Sequence, residues 1–425
     1  LIFVMTGGVF GGILALDEND AHADTGNGWV AIGDPNFIDG GTYYSLSVDE
    51  DIPYVSFSNS VNNRAEVKFF DGTNWLNLGP GNISENFSSY NKLRGTGIDN
   101  LFLSFQESGR GAKVKKYNQA DNKWDDVGSL SAYGIGAIPD ELFVFNDIPY
   151  LAFWVLNDFN NTYVMKYDKQ TESWNRVGAI NKQYNSLRLY VYNDSSENGI
   201  PYLAGTSNGA ITIMRFNGSD WITLGGGPIG AGGSPILYVV KENEEEVPYV
   251  AYKDTNNQLN VKKYNGSDWE FVGPPVISEG RAEEISLYVH NGNPYVGYID
   301  DIQSPSSRTK RFVVKRYNGS IWEHVGAEAI SEFTTEREQI TFPRMAFTVY
   351  EGRPYVIHTD KEYRKFILKK FNGSNIKYDG NGAAFGSVPV DLNAYRDGES
   401  VTVQGNTGGL GKTGYTFAGW NTAAD

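Results

Sequence analysis

The sequence predicts an all-β chain whose bulk is a seven-bladed β-propeller of four-stranded antiparallel blades. Three observations carry that expectation. A Trp-x-x-(Val/Leu/Ile)-Gly landmark recurs seven times, with its tryptophans at 29, 75, 124, 174, 221, 269 and 322. Their steps are 46, 49, 50, 47, 48 and 53 residues. A second landmark, Pro-Tyr before a short apolar run, stands at Pro53, Pro149, Pro201, Pro248, Pro294 and Pro354, with a degenerate Leu101-Phe102 copy between the first two. A fixed period of this length, filled with short strands and turns, is the pattern of propeller blades.

Blade one shows the strand order. Tyr44 to Val48 alternates and reads as strand A, Tyr54 to Phe57 as B, Glu66 to Phe70 as C, and Trp75 to Leu78 as D. Asp71-Gly72 lies between C and D, and later units place Asn217-Gly218, Asn265-Gly266, Asn318-Gly319 and Asn372-Gly373 there. Such pairs supply the positive φ angles of a tight hairpin, so C and D should pair antiparallel. Units two and three use longer loops, Asn118 to Lys123 and Asp168 to Ser173. The proline before strand B has no N–H to donate and suits the first residue of a strand. Runs such as Leu187 to Tyr192 and Phe312 to Val314 are apolar beyond alternation, as expected where both faces of a blade pack on neighbours. The repeated tryptophans and tyrosines are therefore expected in the inter-blade core.

The strand count is offset. Trp29 to Gly33 is a D strand with no A, B or C before it. The seventh unit has A (Arg344 to Tyr350), B (Tyr355 to His358) and C (Phe366 to Phe371), then lacks its tryptophan. The N-terminal strand should complete the last blade and so remove two exposed sheet edges. Ile376 to Gly380 is a rival for that place with a weak D-like spacing.

From Ile376 the pattern changes. Tyr378-Asp379-Gly380-Asn381-Gly382, Val388-Pro389, a Val401-Thr402-Val403 strand and the run from Lys412 to Thr422 (KTGYTFAGWNT) have no place in a blade. This segment resembles the Listeria–Bacteroides repeat, related to the internalin B-repeat of bacterial surface proteins. The resemblance covers residues 376–425 and implies a small β-grasp-like fold, an extracellular setting and a role as stalk or adhesive spacer. It also implies a module that stops short at Asp425. It carries no catalytic residues. The propeller is expected over residues 27–374. Its blades fit no named family: Tyr167 to Trp174 has kelch-like spacing without the kelch double glycine, and Gly218 to Trp221 lacks the Asp-box pattern.

Leu1 to Leu16 is apolar, and Ala21-His22-Ala23 is a small-x-small pattern, so residues 1–23 read as a secretory signal peptide whose start is missing. A buried strand or short anchor helix is the alternative, since the run is short for a membrane span. No other stretch is apolar enough to span a bilayer. The expected location is secreted or cell surface, with no membrane insertion after signal removal and a monomeric propeller.

Composition narrows the function classes. Hydrophobic residues make up 40 % of 425 residues and aromatics 14 %, ample for a core. A net charge of −15 opposes phosphate backbones and anionic lipid, so no nucleic-acid partner is expected. No cysteine is present, which excludes disulfides and thiolate chemistry. His22, His290, His324 and His358 form no HExxH or paired metal spacing, and no Gly-x-Ser-x-Gly elbow or phosphate-binding glycine loop occurs. No catalytic residue, cofactor or metal site is therefore assigned. Asp254, Asp300, Asp301 and Asp360 recur after strand B and read as solvated loop acids.

Ligands of propellers meet the face carrying the D–A and B–C loops, and loops carry function more often than scaffolds. Three connections are enlarged: Trp154 to Asn161 in blade three, Asp300 to Lys310 in blade six, and Ile330 to Phe342. Trp154 and Phe159 are the candidate ligand-binding residues, with Tyr133 and Tyr184 in neighbouring D–A connections extending the surface. The expected function is a non-catalytic extracellular binding or adhesion protein that presents this face to a glycan or surface protein. The alternative is a secreted lyase or glycosidase acting on polysaccharide, for which two converging carboxylates would be needed.

Overall fold

The computed structural model describes residues 9–16, 28–34, 37–38, 40–194, 199–304, 307–335, 344–359, 365–372, 374–389, 394–395 and 403–421. It divides into two compact units. One comprises residues 31–350 and 355–369; the other comprises residues 1–30, 351–354 and 370–425.

The fold is all-β and contains a seven-bladed propeller of antiparallel four-stranded sheets. In blade one, strand A (Gly41–Asp49) pairs with B (Ile52–Asn59), B with C (Ala65–Phe70), and C with D (Trp75–Asn77). The same order recurs in every blade, and in the seventh the fourth strand is Trp29–Ala31, paired on the C strand Phe366–Phe371. The Ile32 N–H donates to the Leu368 carbonyl at 2.9 Å, so the N-terminal strand closes the ring. Strand A of each blade lies against strand A of the next, all the way round, which makes the A strands the wall of a central channel.

Proline precedes the buried tyrosine as expected but is the second residue of strand B, as at Pro53. The hairpins between A and B turn through paired left-handed residues, as at Glu50 and Asp51 (φ 49° and 58°) and Asn146 and Asp147 (49° and 58°). The C–D turns differ from the expected two-residue hairpin. Only the glycine takes positive φ there (97° at Gly72, 100° at Gly218). The preceding Asn or Asp instead accepts backbone N–H groups and closes a four-residue loop: Asn217 Oδ1 takes those of Ser219 (3.0 Å) and Asp220 (2.8 Å). The side-chain acceptor replaces a second left-handed residue.

The tryptophan landmark works across the seam between blades. Trp75, Trp124, Trp174, Trp221 and Trp322 each donate the indole N–H to the carbonyl just before the landmark glycine of the preceding blade, at 2.7–3.1 Å. The landmark glycines have positive φ, and a Cβ on Gly79 would stand 3.0 Å from the Trp124 ring. Glycine is required there on both counts. Trp269 keeps the ring contact to Gly225 but its indole nitrogen has no partner, for a 3-10 turn at Leu224–Gly226 occupies that seam.

Residues after the last blade and the N-terminal segment Val9–Leu16 together form a separate sheet with four strands, in the order Ala394–Tyr395, Ser374–Asp379, Val9–Leu16 and Thr416–Asn421. The rival segment Ile376 to Gly380 thus lies in this sheet and not in a blade. The core of this sheet is Tyr378, Leu410 and Trp420, the rings of Tyr378 and Trp420 meeting edge to face at 4.6 Å. Val9–Leu16 pairs antiparallel with Ser374–Asp379 and parallel with Thr416–Asn421. Residues 17–23, Val401 and Thr402 lie outside the described residues. Among the described residues no helix is long and apolar enough to cross a membrane.

Candidate functional site

The A strands share a backbone device. Each of blades one to six carries a bulge near the start of strand A. In five of them the bulge holds a non-glycine residue in left-handed conformation: Tyr43 (φ 54°), Tyr90 (57°), Ser186 (53°), Ser234 (52°) and Glu284 (48°). A side chain in this region costs about 1–2 kcal/mol per residue relative to glycine. In blade three the equivalent position is Pro139, whose ring fixes φ near −65°. That blade has one bulged residue, Asp140, instead.

These bulges surround one mouth of the channel. A cavity of about 570 Å³ is lined there by residues of all seven blades, including Tyr43, Tyr90, Lys92, Asp140, Trp154, Arg188, Glu284 and Arg344. Tyr43 and Tyr90 stand side by side on adjacent blades, ring centroids 5.4 Å apart, and both remain more than a third exposed. Arg344 holds Glu284 at 2.6 Å across the rim.

One step deeper, the strand-A residues at equivalent register are Ser45, Lys92, Glu141, Arg188, Ile236 and Ser286. Lys92, Glu141 and Arg188 form a charged arc on blades two to four. Glu141 is buried, with Arg94 Nη2 at 2.7 Å and Arg188 Nε at 3.6 Å. Burial alone would raise its pKa; Arg94, Lys92 and Arg188 together hold it below the usual carboxylate range. Asp140 accepts the Leu187 N–H at 2.9 Å, yet burial outweighs this and raises its pKa. Lys92 is desolvated inside the channel, which lowers its pKa to about 8; Glu141 and Asp140 oppose that shift, while Arg188 and Arg94 add to it. Two residues further along the same strands an aromatic ladder runs over blades three to six: Phe143, Tyr190, Tyr238 and Tyr288, with successive centroids 4.9, 5.0 and 4.8 Å apart.

A second cavity of about 600 Å³ adjoins the mouth and shares Arg188, Ser234, Glu284 and Arg344 with it. Lys253, Glu283, Arg308 and Lys310 line the rest. Arg308 pairs with the buried Asp301 and Lys310 with Glu283.

The four candidate residues separate. Trp154 sits at the end of strand B of blade three (Ile148–Val155), half-buried, and lines the mouth. Phe159 is 69 % exposed on the B–C connection and does not line it. Tyr133 packs between Phe153 and Tyr163 at 5.0 and 4.9 Å. Tyr184 is buried in the seam of blades three and four. These two are packing residues, because a short D–A connection folds back over the blade edge.

The acids after strand B are also corrected. Asp300 and Asp301 are buried within strand B of blade six (Asn293–Gln303), which runs on into the segment expected as a loop. Asp300 accepts the N–H groups of Glu279 (3.0 Å) and Gly280 (2.7 Å). Asp254 closes a turn through Asn256 and Gln258. Asp360 and His22 lie outside the described residues. Ser331–Thr335, in the third enlarged connection, is a strand on the C strand of blade six. His290 and His324 share blade six, in strands A and D, and His358 is buried in strand B of blade seven. Among the described residues no cluster of side chains suits a metal ion.

No family model and no curated protein matches the chain. Among solved structures, AofleA from Arthrobotrys oligospora is 9 % identical, covers 72 % of this chain and 92 % of its own, and has a TM-score of 0.46. A polysaccharide lyase bound to an ulvan fragment is 10 % identical, with 79 % and 94 % covered and a TM-score of 0.49. The SapL1 lectin with alpha methyl fucoside is 11 % identical, with 69 % and 99 % covered and a TM-score of 0.46.

Proposed function

We propose that this is an extracellular glycan-binding protein whose ligand enters the mouth of the propeller channel. The observation that carries the reading is the retention of tyrosine, twice, at left-handed bulge positions where glycine would be less strained. Tyr43 and Tyr90 present two adjacent exposed rings, and Trp154 lines the same cavity. Aromatic faces that stay wet gain little unless a ligand covers them, and sugar C–H faces stack well on them. The C-terminal segment, by its resemblance to surface-protein repeats, would hold the propeller at a secreted or cell-surface location.

Binding to an immobilised panel of oligosaccharides tests this. A Tyr43→Ala, Tyr90→Ala double variant should keep its fold and lose binding. Trp154→Ala should weaken it, and Phe159→Ala, on the connection that follows strand B and outside the cavity, should weaken it less. Binding that survives the double variant would place the ligand elsewhere.

A second reading, an enzyme acting on polysaccharide, is favoured by one observation. Lys92, its pKa lowered to about 8 by burial, lines the channel mouth together with Tyr90, and an amine that sheds its proton just above neutral pH can serve proton transfer. Chain cleavage of the bound oligosaccharide, abolished by Lys92→Gln, would establish it.

A further inference from the structure

Six cationic side chains line the two adjoining cavities of a chain whose net charge is −15. Four of them already have carboxylate partners: Arg188 with Glu141, Arg344 with Glu284, Arg308 with Asp301, and Lys310 with Glu283. The remaining two, Lys92 and Lys253, make neither a hydrogen bond nor an ion pair among the described residues. Lys92 faces the channel from blade two and Lys253 ends strand B of blade five, so the two open charges lie on different arcs of one continuous cavity surface. Holding the Lys92 ammonium in a desolvated cavity with no direct hydrogen-bond partner is unfavourable in the free protein, and Glu141 and Asp140 offset that only in part. An anion brought by the ligand removes that cost.

We propose that the ligand is an acidic saccharide, with one anionic group taken by Lys92 and another by Lys253. The inference rests on the glycan reading above and names the class of glycan. Carboxylate and sulfate groups share the required chemistry. The paired cations hold the cavity walls and leave the lysines to select the ligand. Acidic residues elsewhere keep polyanions off the rest of the surface, so recognition is confined to this mouth.

The test is calorimetric titration of the full chain with three probes: oligogalacturonate, sulfated galactan oligomers and neutral galactan oligomers. The acidic probes should bind at least about tenfold tighter than the neutral one, as two cavity lysines without an ion-pair partner imply. Lys92→Gln and Lys253→Gln should each reduce acidic-probe affinity about tenfold and shrink the preference for acidic over neutral probes by the same factor. Near-ultraviolet circular dichroism checks that each variant is folded; should Lys92→Gln unfold, Lys253→Gln at the cavity edge carries the test alone. A preference for the carboxylate or for the sulfate probe supports the inference and identifies the group. Tighter binding of the neutral probe, or acidic binding indifferent to both lysines, overturns it while leaving the glycan reading intact. Failure of all three probes, with the unaltered chain equally inert on a wider oligosaccharide panel, overturns both.

Discussion

Trp124 donates its indole N–H to the Leu78 carbonyl at 2.9 Å, reaching from blade two into blade one, and its ring lies over the bare α-carbon of Gly79. The two ends of one sequence landmark thus belong to two different contacts. The tryptophan locks backwards onto the preceding blade, and the glycine receives the tryptophan of the next.

This relationship predicts unequal costs for equal substitutions. Trp124→Phe removes a buried hydrogen bond and part of a ring, and should cost about 1–3 kcal/mol in chemical denaturation. Trp269→Phe removes an N–H that has no acceptor, so it should cost about 1 kcal/mol less than Trp124→Phe. Gly79→Ala combines left-handed strain with a 3.0 Å approach to the Trp124 ring, and a loss of about 2–4 kcal/mol is expected. Equal effects at Trp124 and Trp269 would refute the seam hydrogen bond.

Closure of the ring gives a second prediction. Ile32 pairs with Leu368, and Val30 and Ile32 are buried. Deleting residues 1–33 leaves the C strand of blade seven as an open edge and should cause aggregation or a marked fall in melting temperature. A truncated chain that stays monomeric and equally stable would be incompatible with closure by this strand.

The bulges offer a test in which stability and binding move in opposite directions. Tyr90→Gly relieves left-handed strain and should leave stability unchanged or raise it by up to about 1 kcal/mol. The same variant should lose glycan affinity. A protein made less stable by this change would show that the Tyr90 ring serves packing.

Lys92 sets a pH dependence. Its folded pKa of about 8 lies below the 10.5 of an unperturbed lysine. The groups facing it are Glu141 and Asp140 from blade three, Arg188 from blade four, and Arg94 on its own strand. The ammonium is charged below pH 8, so affinity for an acidic oligomer should fall as pH rises through that value and should be flat in Lys92→Gln. The stability effect has the other sign. The depressed pKa means that the fold disfavours the charged amine, a penalty present below pH 8 and relieved between 8 and 10.5. Lys92→Met should therefore stabilise the protein more at pH 7 than at pH 10, as measured by denaturant midpoints.

The blades were legible because their landmarks, tryptophan, glycine and Pro-Tyr, are the residues that make the seams and turns. The orphan strand at Trp29 was legible by the same count. The channel mouth was not. A bulge inserts one residue into strand A and breaks the two-residue period, so Tyr43 and Tyr90 cannot be assigned to a face by alternation. The signal that was present is the run Lys92, Glu141 and Arg188, charged residues at one register of three consecutive A strands. Trp154 was read as a loop residue and lies in a strand, because strand B continues past the length that its apolar run suggested. Tyr133 and Tyr184 show the converse: burial by a folded-back connection depends on tertiary packing that residue type alone does not reveal.

Pro139 has a consequence for symmetry. Seven like blades around one axis would offer an entering molecule seven equivalent orientations, and a ligand spread over all of them would be held in no definite pose. Pro139 prevents one blade from forming the left-handed bulge of its neighbours, and the charged arc from Lys92 to Arg188 is centred on that blade. The rotational degeneracy of the ring is removed at that blade, and a chain bound as proposed would acquire a single heading with a distinguishable front and back.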